Sequence, residues 1–238
     1  MRYITAIISI FTFQLHAQII STPGSTGGLD SRVTEAFTRM RNKISVNEST
    51  IENISGSPYY SEEFKKGSIV YFDSELKEQP LLRYNAFSDE IEMNANNSDN
   101  PDQALLKNSK IHCTIDGVTY KYLPIPKSDP QFEKAGYLEE VFKGNSYTLY
   151  VRKRKVYREG KKARTSLEQS FSPRFIDYTA WYYQIKSGGL IYFKPNKKNI
   201  RTVFKNQSKF LSNYLSKNKV DYKKKNDLKN LFSYLDKN

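Results

Sequence analysis

"KIHCTIDGVTYKYL", Lys110 to Leu123, is the stretch on which the fold turns. Ile111, Cys113 and Ile115 alternate with His112 and Thr114, the period of two expected of a strand with one buried face. Asp116-Gly117 follows, a favoured pair for a two-residue hairpin turn because both positions accept a positive φ. Valine, threonine and tyrosine then resume on the far side, all good strand residues. One antiparallel hairpin is thus specified locally.

Working outward from it, the same texture fills positions 67 to 194. "GSIVYFD", "PLLRYNAF" and "DEIEMN" precede the hairpin; "GYLEEVF", "SYTLYVRKRKVY", "TAWYYQIK" and "GLIYFK" follow it. Each is short, rich in Tyr, Ile, Val and Phe, and bounded by Gly, Asn, Asp, Ser or Pro. A second hairpin is expected at Lys143-Gly144-Asn145-Ser146, and positions 94 to 108 read as a surface loop. Nine strands with no long helix between them exclude a doubly wound fold. The expected class is mainly β (α+β): a curved antiparallel sheet or half-barrel of about nine strands, with a short N-terminal helix and two C-terminal helices.

The flanks change period. Arg2, the apolar run "ITAIISIFTF" and Leu15-His16-Ala17 follow the plan of a secretory signal peptide over positions 1 to 17, cleaved after Ala17. That run is about half the ~20 residues that span a bilayer, so release rather than anchoring is expected. Positions 18 to 30 form a Ser, Thr, Gly and Pro-rich lead. The β-rich domain covers 31 to 194, opening with a helix in which Val33, Phe37, Met40 and Ile44 recur at helical spacing. A helix pair over 195 to 238 follows, with helices at about 199 to 217 and 225 to 236 whose apolar stripes pack on the sheet or on each other. The predicted location is the periplasm, or outside the cell after secretion.

Candidate chemistry starts from charge. The formal net charge is +13, or +12 once Arg2 leaves. Its densest part is "YVRKRKVYREGKKARTS", where Arg152, Lys153, Arg154, Lys155, Arg158, Lys161, Lys162 and Arg164 meet one acid, Glu159. In a cytosolic protein, tyrosines interleaved with such a ribbon would suggest nucleic acid. Export removes that partner and leaves anionic envelope components, lipid or polysaccharide. The simpler reading is a solvated strand end and loop that begins at Arg152. The "DYKKKNDLKN" stretch reads as the polar side of a docked helix.

Enzymatic sets are thin, and a non-enzymatic protein without cofactor or metal is expected. After cleavage, His112 is the remaining histidine and Cys113 the lone cysteine. Adjacent strand residues face opposite ways, so they make no nucleophile–base pair. Cys113 has no disulfide partner and reads as a buried apolar residue. Glu90 and Glu92 share a strand face, which reads as solvated opposite Ile91 and Met93. Trp181, Tyr182 and Tyr183 read as core or sheet face before ligand platform.

"GSPYYSEEFKKGSIVYFDSE" and "PLLRYNAFSDEIEM" resemble an uncharacterised family of secreted Bacteroidota-type proteins. That family has a Gly-x-Pro-Tyr segment, an Arg-Tyr-Asn strand and a Lys-rich helical tail. The matching positions here are Gly56, Pro58, Tyr59, Phe64, Gly67, Arg83, Tyr84, Asn85, Glu90 and Glu92. The resemblance implies an envelope location and carries no activity. Physically, Arg83 is placed to pair across the sheet with Glu90 or Glu92 as a structural clip. The leading functional expectation is an envelope interaction or structural protein that is not integral to the membrane. A lipid or lipoprotein carrier with an aromatic-lined cavity is the second, and a hydrolase, lacking a catalytic set, the third.

Overall fold

The computed structural model describes residues 54–94, 103–131, 133–165 and 167–238. The expected signal peptide, lead and N-terminal helix lie outside the described residues.

All nine expected strands are present, with two short additions. The strands are β1 (Lys65–Tyr71), β2 (Ser74–Glu75), β3 (Leu81–Asn85), β4 (Glu90–Asn94), β5 (Gln103–Ala104), β6 (Ile111–Ile115), β7 (Val118–Pro124), β8 (Ala135–Lys143), β9 (Tyr147–Arg158), β10 (Arg174–Ile185) and β11 (Ile191–Phe193). They form one sheet in the order β11-β10-β9-β8-β7-β6-β1-β3-β4-β5, with β2 beside β1 and these neighbours antiparallel. β6 to β11 is a plain meander of hairpins. In the β6–β7 turn, Asp116 and Gly117 take φ of 50° and 74°, both in the left-handed region that a tight hairpin needs. β5 and the buried Leu105 replace part of the expected surface loop, because the Leu105 N–H donates to the Ile91 carbonyl and draws the chain onto β4.

The sheet curls into a half-barrel. β9 and β3 are five places apart in strand order, yet the Lys155 N–H donates to the Ala86 carbonyl at 2.9 Å just beyond β3. Leu82, Ile91, Ile111, Cys113 and Tyr137 fill one end of the curl, and Ile125, Leu138, Tyr150 and Tyr182 fill another part.

The C-terminal region folds as α1 (Lys197–Val203), a 3-10 turn (Lys205–Gln207), α2 (Ser208–Lys217) and α3 (Lys225–Asp236). The expected first helix is broken near Phe204, which is buried with Ile200 and Leu211. The second helix has the expected bounds. Leu228, Leu231, Phe232 and Leu235 recur at helical spacing and pack on Val141, Leu149, Val151 and Trp181 of the sheet. Asp236 fastens this helix to the β8–β9 turn, its carboxylate accepting from the N–H groups of Asn145, Ser146 and Tyr147, each at 2.8 Å. None of the helices among the described residues is long and apolar enough to cross a membrane.

Candidate functional site

The basic ribbon divides into a neutralised half and an exposed half. β9 pairs with β10 from Tyr147↔Ile185 to Arg158↔Arg174, so Arg152 to Lys155 lie in mid-strand rather than at a solvated end. Arg152 is 1 % exposed. Its guanidinium donates to Asp89 at 3.2 Å and to Glu133. Arg154 donates to the carbonyls of Ala86 and Phe87, each at 2.7 Å, and to Glu133 at 2.9 Å. Lys153 pairs with Glu139 at 3.1 Å and Lys155 with Asp177 at 2.6 Å. The expectation of a solvated strand starting at Arg152 is therefore corrected. The acids come from the β3–β4 turn, the loop before β8, β8 itself and β10, so all of them lie outside the basic run and Asp89 is 63 residues from Arg152.

Electrostatics keep the inner pair charged. Burial opposes the charge on Arg152, but Asp89 and Glu133 outweigh it and raise its pKa. Burial likewise pushes Glu133 up, and the hydrogen bond and charge of Arg152, with those of Arg154, bring it below the usual carboxylate range. Gly136 gives this pair its room: a Cβ there would stand 2.5 Å from the Arg152 Nη2 and 2.7 Å from the Asp89 Oδ2. Arg152 Nε is buried and has no hydrogen-bond partner among the described residues.

The outer half stands on the turn between β9 and β10. Arg158, Lys161, Lys162 and Arg164 are all exposed. Lys161 and Phe171 exchange backbone hydrogen bonds of 2.8 and 2.9 Å, which hold the base of the turn. Glu168 approaches the Lys161 ammonium at 3.4 Å and accepts from the Arg164 backbone N–H at 3.1 Å. Arg158, Lys162 and Arg164 make no ion pair with a described residue. Arg158 and Arg174 both lie against the Phe171 ring, at 5.5 and 5.1 Å. A shallow depression of ≈ 410 Å³ opens here, lined by Gly160, Lys161, Lys162, Ser170, Phe171 and Pro173 among others.

The clip is a separate centre. Glu92 is 1 % exposed and accepts from Arg83 Nε at 2.9 Å and Nη2 at 2.7 Å, from Asn85 at 2.8 Å and from the Tyr59 hydroxyl at 3.1 Å. The Arg83 guanidinium also lies over the rings of Tyr59 and Phe64. Burial first, and the Glu92 carboxylate second, push the Tyr59 hydroxyl up to about 12. Two expectations change. Glu92 is not on a solvated face, since the Tyr59 segment covers it. Glu90 is not Arg83's partner: register sets it across from Asn85, and it pairs with Lys107 at 3.5 Å.

Other groups arise only in three dimensions. Buried Asp129 accepts from the hydroxyls of Tyr178 and Tyr182. Trp181 sits in the core beneath the helices, with Tyr182 on the opposite sheet face. Cys113 is buried, which pushes its thiol pKa far up, while His112 faces the other way and is partly exposed. Among the described residues, no group of three or more His, Cys, Asp and Glu could hold a metal ion.

Fold and site together define, among the described residues, an antiparallel half-barrel module with a helical cap and an exposed basic β9–β10 turn. Comparison of the chain with protein families, curated proteins and solved structures finds no match.

Proposed function

We propose that this is an exported, non-enzymatic interaction protein of the cell envelope, and that its β9–β10 turn contacts an anionic envelope component. One observation carries the reading. Asp89, Glu133, Glu139 and Asp177 neutralise the inner four basic residues, whereas Arg158 at the end of β9 and Lys162 and Arg164 on the turn are exposed and make no ion pair with a described residue. Charge that folding does not use is available to a partner. Location in the envelope draws on the signal-peptide pattern at the N-terminus.

The carrier reading has less support. Among the described residues, the recess that tyrosines line (Tyr60, Tyr84 and Tyr120, with Arg83 and Glu139) measures ≈ 140 Å³ and is edged by charge. A larger depression of ≈ 700 Å³ is lined mostly by Lys, Asp and Asn side chains such as Lys219, Lys223, Lys224 and Asp227. A ligand pocket is usually about 300 Å³ or more and mostly apolar.

The test is binding to vesicles containing lipopolysaccharide or anionic phospholipid, against zwitterionic vesicles, at low and high salt. Arg158→Ser, Lys162→Ser and Arg164→Ser combined should weaken binding on the order of a hundredfold, taking about 1 kcal/mol per basic residue at an anionic surface. Salt should weaken the unaltered protein in the same way. Failure of the unaltered protein to bind any anionic surface, or indifference to the triple substitution, would sink the proposal.

A further inference from the structure

We infer that the β9–β10 turn is a membrane-interface tip, with Leu167 the side chain that enters the lipid. This rests on the proposed anionic contact and commits it to a phospholipid bilayer rather than a polysaccharide. Leu167 is 95 % exposed, in the turn closed by the Glu168 N–H donating to the Thr165 carbonyl. A lone exposed leucine is ordinary. Here, though, it stands on a turn that, with the strand ends Arg158 and Arg174, carries five basic residues (Arg158, Lys161, Lys162, Arg164 and Arg174) against two acids, Glu159 and Glu168. One of those acids is occupied by Lys161 and the Arg164 backbone.

Aromatic groups lie behind the apex. Arg158 and Arg174 both lie over the Phe171 ring, and the exposed rings of Tyr157 and Phe87 lean on Phe175 at 6.3 and 5.1 Å. A fully exposed leucine on the turn, arginine and lysine along the same turn, and tyrosine and phenylalanine at the strand ends match acyl chains, phosphates and the headgroup boundary of a bilayer. A soluble polyanion would engage the cations and gain nothing from the leucine. The long basic side chains can keep their charges at phosphate level while their stems follow the apolar surface.

The experiment uses vesicles of phosphatidylglycerol and phosphatidylcholine, with dextran sulfate as the soluble polyanion. Leu167→Asp should bind the vesicles at least about tenfold more weakly, the equivalent of about 1.4 kcal/mol, and keep its dextran sulfate affinity. Leu167→Trp should shift its emission to the blue on the vesicles and be quenched by brominated acyl chains. Trp181 is 6 % exposed and supplies a constant background. Equal vesicle binding by Leu167→Asp and the unaltered protein, or an unshifted Leu167→Trp on bound vesicles, overturns the tip and leaves the anionic contact standing. Binding to dextran sulfate without binding to vesicles has the same meaning. If the unaltered protein binds neither, both readings fall.

Discussion

Removing the carboxylate of Glu92 should be among the most damaging single changes to this fold. In Glu92→Ala, Arg83 loses its buried counter-ion, and Asn85 and the Tyr59 hydroxyl lose an acceptor. The Arg83 side chain is 11 % exposed, so water offers little compensation. Breaking a buried pair from one side costs about 3–5 kcal/mol, out of a total stability of about 5–15 kcal/mol. For a chain of this size that is a fall in Tm of about 6–20 °C. The assay is urea unfolding followed by circular dichroism and by the fluorescence of Trp181. Arg83→Met with Glu92→Leu leaves no charge stranded and should recover about 1–2 kcal/mol relative to Glu92→Ala, the remaining loss coming from Asn85 and Tyr59. A loss below about 1 kcal/mol for Glu92→Ala would place the clip with ordinary surface pairs and refute the argument.

Other outcomes follow from the same geometry. Gly136→Ala should destabilise by driving a methyl into the Arg152–Asp89 pair, and Arg152→Met in the same chain should relieve part of that loss in thermal melts. At Gly117 there is space for a Cβ but φ is 74°, so Gly117→Val should cost about 1–2 kcal/mol by denaturant titration. Burial pushes the Asp236 carboxyl up, but the three backbone N–H groups outweigh it and leave the pKa below the usual value. Its contribution is therefore present above the unfolded carboxylate range and lost as pH falls through the folded value. Asp236→Asn should lower stability at neutral pH and flatten the acid limb of the stability–pH curve, read by melts at successive pH values. Native Cys113 should resist maleimide and react on unfolding, because burial raises its thiol pKa and closes access; mass spectrometry of timed aliquots decides this.

Sequence alone determined the repeating unit. Alternation in Ile111 to Ile115 and the Asp116-Gly117 turn specify a hairpin through contacts only a few residues apart, and the same local logic yields the other strands and α3. The break near Phe204 escaped that logic, because a buried phenylalanine fits a continuous apolar stripe equally well. The fates of the charges were not local at all. Nothing between Arg152 and Arg164 distinguishes one basic residue from the next, yet the curl brings Asp89 and Glu133 to Arg152 and Arg154 and leaves Arg158, Lys162 and Arg164 in water. Arg83 and Glu92 could be paired from strand spacing, whereas the choice of Glu92 over Glu90 needed the register. Side-chain period is a property of neighbours along the chain and is legible there. Counter-ions are set by register and by the curl, from nine residues away for Arg83–Glu92 to sixty-three for Arg152–Asp89, and for that reason only the folded sheet decided which cations this protein consumes and which it presents.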